Sequence, residues 1–221
     1  MEAIRPLVLE GRYVRLEPLA EQHLAPLAAI AARHRDSYRL TSVPAEGKGM
    51  PDYFETAFAQ ARAGAALPFA TVERARGVVV GSTRFWSFEF WSWPKGHALV
   101  RPLGVPDAVE IGYSWLAPEA QRTAVNTEAK LLMLQHAFEK WEVHRVTLRT
   151  DARNARSRAA IERLGARLDG VLRAASPAAD GAIRDTASYS LLGAEWPEVK
   201  ARLSARLEAS GGRTGLGQLT T

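Results

Sequence analysis

The sequence predicts one α+β domain followed by a short tail. Segments in which apolar residues alternate, as in half-buried strands, are interleaved with segments in which they recur every three or four residues, as in amphipathic helices. Neither an internal repeat nor an interdomain linker interrupts this order, and the content of 47% hydrophobic and 24% charged residues is typical of a globular protein. We expect a single domain over residues 8–209 and a flexible tail over residues 210–221, which are rich in Gly and Thr.

The first half of the chain is predicted to hold three strands and two helices. Pro18 lies at the end of the first strand, and a tight turn near Gly77 joins the other two. The predicted elements are, in order, a strand over 13–19, a helix over 24–35, a loop over 41–51, a helix over 52–63, strands over 69–73 and 78–90, and a loop over 91–107.

The second half is predicted to hold four strands and three helices. Gly165 is a helix C-terminal stop, and Pro197 lies in the first turn of the last helix. The predicted elements are, in order, a strand over 108–117, a turn over 121–126, a helix over 127–141, a strand over 145–150, a helix over 155–164, strands over 167–173 and 185–192, and a helix over 196–207.

Composition excludes several classes of chemistry. The chain has no cysteine, so disulfides, thiol nucleophiles, iron–sulfur clusters and cysteine zinc sites are ruled out. Its five histidines lack ligand spacing on one helix face, and we therefore expect no metal. The N-terminus does not resemble a secretory signal, and no apolar run approaches the length of a membrane span. We expect a cytoplasmic protein that makes no contact with a membrane.

The positive charge is concentrated in one segment. Residues 145–173 contain eight arginines against three acidic residues, within a chain of net charge +5. A solvated basic surface is one interpretation, and a site for a polyanionic ligand is another, because Arg binds phosphate oxygens in a bidentate way. Nucleic acid is the least supported partner, since the segment lacks an aromatic-studded strand or a recognition-helix pattern.

Three common nucleotide and nucleophile motifs are absent. The segment Gly47-Lys48-Gly49 completes neither a P-loop nor a Gly-x-Gly-x-x-Gly dinucleotide motif. The segment Gly112-Tyr113-Ser114 continues with Trp115-Leu116 and is no Gly-x-Ser-x-Gly elbow. What remains is a strand, a turn at Gln121–Asn126 and a helix, an order that presents free backbone N–H groups to phosphates. A capped helix start without a ligand is the alternative.

The motifs together resemble the GCN5-related N-acetyltransferase (GNAT) family, and within it the ribosomal-protein N-terminal acetyltransferases. The resemblance extends from about residue 9 to residue 207, and no single motif carries it alone. Its carriers are Glu110-Ile111-Gly112-Tyr113, the Gln-x-x-Ala-x-Asn turn at 121–126 with Thr127-Glu128-Ala129, Asn154-x-x-Ser157 with Glu162-Arg163-Leu164-Gly165-Ala166, and Asp169-Gly170-Val171-Leu172-Arg173. It implies a mixed, mostly antiparallel sheet flanked by helices, and acetyl-CoA as co-substrate.

The resemblance also implies which residues contact acetyl-CoA. The pantetheine would pair along the strand, the pyrophosphate would meet backbone amides of the turn, and the start of the next helix would add contacts. These expected contacts are Ser114, Trp115, Leu116, Gln121, Arg122, Thr123, Ala124, Val125, Asn126, Thr127, Asn154 and Ser157. Ala124 and Asn126 stand where the family usually has small glycines. Alanine fits if its φ is negative, and Asn126 would cap the helix or approach the phosphates.

Acetyl transfer to an amine requires a neutral amine, and a carboxylate can accept its proton. Strand alternation puts Glu110, Gly112 and Ser114 on one face, so Glu110 is the candidate base; an ion pair with an arginine is the alternative. A backbone N–H near Trp115–Leu116 would meet the oxyanion, and Ser157 would protonate the leaving thiolate. Arg84 and Trp86 share a strand face and are candidates for an acceptor-binding wall.

The predicted function is acetyl transfer by direct attack within a ternary complex, with no acyl-enzyme. The acceptor is a primary amine: a protein N-terminus, a free amino acid or polyamine, or an amine-bearing antibiotic. An open groove would favour peptides and a capped pocket small amines, and the loop at 91–107 is expected to decide between them. A CoA-binding sensor or scaffold of the same fold is the non-enzymatic alternative. A homodimer is an open expectation.

Overall fold

The chain folds around one eight-stranded sheet, which the computed structural model describes over residues 1–33, 35–44 and 49–214. The strands are β1 (Leu9–Glu10), β2 (Val14–Pro18), β3 (Ala66–Glu73), β4 (Val78–Glu89), β5 (Ala108–Leu116), β6 (Arg145–Asp151), β7 (Arg167–Pro177) and β8 (Ile183–Leu192). The helices are α1 (Leu24–Ala32), α2 (Gly49–Arg62), α3 (Ala124–Glu139), α4 (Ala155–Leu164) and α5 (Trp196–Thr214).

The sheet is mixed, and its order is β1-β2-β3-β4-β5-β6-β8-β7. All neighbours pair antiparallel except β5 and β6, which are parallel and joined by α3. This crossover is the arrangement that parallel neighbours require. The predicted mixed, mostly antiparallel sheet with flanking helices is therefore confirmed.

Each face of the sheet carries its own apolar core. On β3, Phe69 packs into the larger cluster with residues of α3, α4 and α5, whereas its neighbour Ala70 packs into the smaller cluster with α1 and α2. Successive strand residues point to opposite faces, so the two clusters lie on the two sides of the sheet. Trp141, which lies two residues beyond the end of α3, is fully buried against Phe85.

Several predicted element ends differ from the structure. Helix α3 begins at Ala124 rather than at residue 127, because Thr123 is the N-cap and accepts a hydrogen bond from the Val125 N–H. Asn126 therefore lies inside the first turn and is not the cap. Helix α5 continues to Thr214, beyond the predicted end at residue 207, and residues 215–221 of the predicted tail lie outside the described residues. The predicted loop over 41–51 ends at Gly49, where α2 begins, and residues 45–48 are not described.

Candidate active site

The two parallel strands separate and leave a gap at the centre of the sheet. β5 and β6 pair only over their first residues, with Ala108 opposite Arg145 and Glu110 opposite Thr147. Beyond Glu110, β5 continues to Leu116 paired only with β4, while β6 pairs with β8. The backbone edge of β5 that faces β6 is thus left for another extended group.

A bulge in β5 sits beside this gap. Tyr113 has φ of 51°, and the register with β4 shifts between Ser82 and Arg84. A bulge adds one residue to a strand and reverses the alternation that follows it. The prediction that Ser114 shares a face with Glu110 and Gly112 is therefore wrong.

Ser114 and Trp115 exchange their expected faces as a result. The Ser114 hydroxyl faces α3, where it contacts Thr83 and the ammonium of Lys130. Trp115 turns to the α1–α2 side and packs edge-on against Tyr38, with ring centroids 6.0 Å apart. The side chain of Ser114 is therefore directed away from the gap, and only its backbone remains for the predicted pantetheine contact.

The Leu116 carbonyl, another predicted pantetheine contact, is already paired. It accepts hydrogen bonds from the Tyr38 hydroxyl at 3.0 Å and from the Gln121 side-chain amide at 3.0 Å. These two bonds tie the end of β5 to the segment before α2 and to the turn before α3. Gln121 thus acts as a structural brace for the turn.

Buried polar atoms without hydrogen-bond partners cluster around Gly112. Among the described residues near this glycine they are Oε2 of Glu110, Nε1 of Trp86, and Nε and Nη2 of Arg84, and of these Oε2 of Glu110 has an ion-pair partner, Arg149. A Cβ at Gly112 would lie 2.5 Å from Trp86 Nε1, so glycine is required there to admit the indole. The indole of Trp86 therefore fills the space beside Glu110 that Gly112 leaves. Because unpaired buried polar atoms are costly, such a concentration is typical of a site that acts on a ligand.

Glu110 forms an ion pair with an arginine, one of the two alternatives predicted for it, and its role as the base stays a prediction. The carboxylate is 4% exposed, and its Oε2 lies 3.4 Å from Nε of Arg149. Burial raises the pKa of Glu110, and the positive charge of Arg149 opposes that rise without cancelling it. A carboxylate with a raised pKa is better matched to accepting a proton from an ammonium group.

The turn before α3 has the features of an anion site. Arg122 adopts φ of 61°, whereas Ala124 is helical with negative φ, so the added methyl group is accommodated. The Thr123 hydroxyl donates to the Ala120 carbonyl at 2.8 Å and caps the Val125 N–H. Other amides of the first turn have no intrahelical partner, and the helix dipole favours an anion there.

Helix α4 begins across the gap from this turn. Asn154 is its N-cap: its Oδ1 accepts from the Ser157 N–H at 3.0 Å, and its Nδ2 donates to the Leu40 carbonyl at 3.4 Å. Arg156 donates to the Gln121 side-chain oxygen at 3.1 Å and so joins the start of α4 to the turn before α3. Asn154 therefore has the predicted capping role, and its contact with CoA stays a prediction.

A cavity of about 750 Å³ opens on the α1–α2 side of the sheet. Arg84 lies at its floor with Tyr113 and Tyr53, and residues 177–180 of the β7–β8 turn form the opposite wall. Trp86 does not line it but lies behind Tyr113, with ring centroids 5.2 Å apart. Sequence reasoning missed the tyrosines and the β7–β8 turn, because no motif connects segments so far apart along the chain.

The aromatic loop at 91–107 does not line this cavity. It forms a separate cavity of about 620 Å³, braced by Asp107. The carboxylate accepts from the Trp91 N–H, from the Trp93 indole at 2.9 Å and from Arg101 at 3.1 Å. The loop therefore packs onto its own carboxylate, and its expected influence on the acceptor site stays a prediction.

The described part of the chain lacks two further features. No group of His, Asp or Glu side chains there is arranged to hold a metal ion. None of the helices described is both long enough and apolar enough to cross a membrane.

Comparison with known proteins identifies the family. The profile of the acetyltransferase (GNAT) domain matches residues 14–167. The chain belongs to the GNAT acetyltransferase family. YdaF, a provisionally named ribosomal N-acetyltransferase of Bacillus subtilis (strain 168), is 37% identical over 91 residues, which are 41% of this chain. The match spans about half the length of that relative, 49%. Its name agrees with the branch predicted from the sequence.

Solved GNAT structures share the fold. The GCN5-related N-acetyltransferase from Brucella melitensis superposes with a TM-score of 0.76 at 29% identity, covering 93% of this chain and 87% of that one. RimJ of Mycobacterium smegmatis, solved in complex with CoA-disulfide, superposes with a TM-score of 0.68 at 24% identity, covering 93% and 94%. The second likeness concerns the fold alone.

Proposed function

We propose that the chain transfers an acetyl group from acetyl-CoA to a primary amine, by direct attack within a ternary complex. The observation that carries the proposal is the gap between β5 and β6, which has a helix N-terminus at one end and the buried Glu110 carboxylate at the other. Membership of the GNAT family and the fold shared with the CoA complex of RimJ support it.

In the proposed complex the diphosphate of acetyl-CoA is held by the residues around the start of α3. The backbone amides of the first turn supply uncompensated N–H groups, and Arg122 and Thr123 are exposed beside them. The pantetheine extends along the free edge of β5 from Leu116 towards Tyr113. Asn154 and Ser157 approach it from the start of α4.

The proposed chemistry is a single displacement. Glu110 accepts a proton from the ammonium form of the acceptor, and the neutral amine attacks the thioester carbonyl carbon. A backbone N–H near Trp115 stabilises the oxyanion of the tetrahedral intermediate. Collapse breaks the carbon–sulfur bond. The Ser157 hydroxyl donates a proton to the leaving thiolate and regains one from solvent, which also takes up the proton that the amide nitrogen loses.

For the acceptor we propose a protein N-terminus or a small amine that enters the 750 Å³ cavity. A cavity of this size accommodates a small molecule or the first residues of a peptide. The name of YdaF supports a ribosomal-protein N-terminus as one candidate. The acceptor amine would meet Glu110 from the side of Tyr113 and Arg84.

The test is release of CoA thiol from acetyl-CoA in the presence of an amine panel. The panel contains N-terminal peptides of ribosomal proteins, free amino acids, polyamines and aminoglycosides. We expect amine-dependent release with at least one class. Saturable acetyl-CoA binding without release by any amine would contradict the enzyme and favour the sensor.

The organisation of the active protein is also a proposal. We propose one catalytic domain over residues 8–209, in a cytoplasmic homodimer. Light scattering of the purified full chain measures the mass in solution directly. A mass of one chain at all concentrations would contradict the dimer and leave the chemistry unaffected.

A further inference from the structure

Arg84 is a buried cation without a described counter-ion. Its side chain has 0% exposure, and no carboxylate of the described residues lies within ion-pair distance of it. Removing a guanidinium from water without an anion is costly, so a protein rarely retains one in its interior without use. Arg84 also lines the cavity that we assign to the acceptor.

The faces of the guanidinium are covered by aromatic rings. Its central carbon lies 3.8 Å from the ring centroid of Tyr113 and 4.9 Å from that of Tyr53. Such stacking stabilises the cation and fixes its plane. The Tyr53 hydroxyl is itself held by Ser82 at 2.9 Å. The guanidinium is therefore rigidly oriented.

The unpaired donors lie on one edge of the group. Nη1 donates to the Gln60 side-chain oxygen at 2.8 Å, whereas Nε and Nη2 have no partner. Nε and Nη2 together form the side-on fork, whose two parallel N–H groups match the two oxygens of a carboxylate. The edge left empty is thus the one that binds an anion in a bidentate way.

We propose that Arg84 recognises a carboxylate of the acceptor, so that the preferred acceptor is an amine that carries a carboxylate, as an amino acid does. This inference rests on the proposed function. On β4, Arg84 lies opposite Gly112 of β5 and Trp86 lies opposite Glu110 of β5. Arg84 and Glu110 are therefore diagonal neighbours on one face of the sheet. An acceptor that spans them presents its amine to Glu110 and its carboxylate to the fork.

Entry of the carboxylate requires a local movement of the side chains around the fork. Neither Nε nor Nη2 is exposed to water in this structure. Tyr53 and Tyr113 are half-buried residues of the cavity lining, and their rings cover the faces of the guanidinium and not the edge that carries the fork. The stacked rings therefore keep the guanidinium in place while its edge becomes accessible.

The test compares matched acceptors that differ only in the carboxylate. Phenylalanine is paired with phenethylamine, and peptides with Glu at the first or second residue are paired with the same peptides carrying Gln. We expect wild-type kcat/KM to be about 10- to 100-fold higher for the carboxylate member of at least one pair. This is the effect expected when the other member lacks a pair of charged hydrogen bonds. In Arg84→Gln this ratio should fall to about 1, while the KM for acetyl-CoA is unchanged.

Two further variants and a control keep the test decisive if Arg84→Gln does not fold. Arg84→Lys retains the charge without the fork, and Gln60→Leu removes the partner that orients it; both should reduce the ratio. Arg74→Gln, a charge removal on an exposed arginine paired with Glu10, should leave it unchanged.

A direct binding measurement separates this inference from the proposed function. Calorimetry of N-acetylphenylalanine binding to the CoA complex should give a Kd at least 10-fold lower than that of N-acetylphenethylamine. The selectivity should disappear in Arg84→Gln. Equal binding of the two ligands, or a preference that persists in Arg84→Gln, would overturn the carboxylate site even if acetyl transfer proceeds. If no amine is acetylated but the carboxylate ligand still binds selectively, the proposed acetyl transfer is contradicted and the carboxylate site at Arg84 is supported.

Discussion

At the scale of single residues, the buried ionisable groups Glu110 and Lys130 lie on opposite faces of the sheet at β5. Burial has a different effect at each of them: one concerns the proposed chemistry and the other the stability of the fold. The Glu110 side chain lies on the face of the sheet that carries α1 and α2. Its Oε2 accepts no hydrogen bond and lies 3.4 Å from Nε of Arg149. Lys130 faces the opposite side, where its ammonium donates to the hydroxyls of Thr83 and Ser114. Burial disfavours the charge on both groups, and Glu110 lies on the face of the sheet where we propose that the acceptor binds.

Glu110→Gln removes the proposed base without changing the size of the side chain. We expect kcat to fall by about 100-fold or more at low pH, where the acceptor amine is protonated, and by less at high pH, where it is already neutral. Acetyl-CoA affinity should be nearly unchanged. Turnover is measured across pH with Glu89→Gln, which removes a partly exposed carboxylate, as the control. Wild-type rates for Glu110→Gln at every pH would exclude Glu110 from the role.

Lys130→Met should stabilise the protein. Burial lowers the pKa of Lys130 from 10.5 to about 7, so the unfolded chain binds a proton between those values that the folded chain does not. The contribution of Lys130 to stability therefore falls as pH decreases from 10.5 to 7. We expect Lys130→Met to raise the free energy of unfolding by on the order of 1–4 kcal/mol near pH 7, with a smaller gain at pH 10.

The measurement is denaturant unfolding of both proteins at several pH values. Lys140→Met serves as the control, since Lys140 is exposed at the end of the same helix. A loss of stability in Lys130→Met at pH 7 would show that the two hydroxyl contacts of Lys130 outweigh its desolvation.

At the scale of elements, the sequence predicts every strand and helix α1 to α5 except the two-residue strand β1, but not how β5 changes face. Alternation in residues 108–117 identifies the strand and places Glu110 and Gly112 correctly. The bulge at Tyr113 depends on pairing with β4, which no local pattern records, and a bulky residue with φ of 51° is not a sequence signal. The face of Ser114 could therefore not be predicted.

The start of α3 was predicted three residues late for a similar reason. The Gln-x-x-Ala-x-Asn segment was interpreted as a turn from the family pattern, whereas Thr123 is a good N-cap by residue type. By contrast, α4 was predicted with both ends correct, because Asn154 and Gly165 are strong local cap signals.

Helix α3 also clamps the edge of the sheet through Glu128. This buried carboxylate accepts hydrogen bonds from the backbone N–H groups of Arg12, Tyr13 and Val14, at 2.8, 2.6 and 2.8 Å. A Cβ at Gly11 would lie 2.3 Å from the Glu128 carboxyl carbon, so the turn between β1 and β2 fits closely around it.

Glu128→Gln should therefore destabilise the fold by about 2–3 kcal/mol, because the amide removes the charge and turns an N–H towards backbone donors. Thermal unfolding measures the effect. Glu10→Gln is the control, since Glu10 lies in the same hairpin but is half-exposed and pairs only with Arg74. Equal Tm values for the two variants would show that the hydrogen bonds of Glu128 do not stabilise the fold.

At the scale of the whole molecule, the sequence predicts the fold but not the cavity that we assign to the acceptor. The order of elements and the family motifs specify the sheet and its crossover. The cavity combines α2, β5 and the β7–β8 turn, which are distant along the chain and meet only after the sheet has formed. The sequence also does not predict which arginines of the basic segment at residues 145–173 lie at the candidate site. Arg149 and Arg156 contact the candidate site, whereas Arg153 pairs with Asp151 and Asp180.

We propose that the backbone amides at the start of α3 hold the diphosphate of acetyl-CoA. The most direct test is calorimetry of the wild-type chain with CoA and with acetyl-pantetheine, which lacks the nucleotide and the diphosphate. We predict saturable binding of one CoA per chain, and binding of acetyl-pantetheine that is weaker by about 100-fold or more, the range expected for several charged hydrogen bonds. No saturable heat with CoA, or equal affinity for both ligands, would contradict the claim.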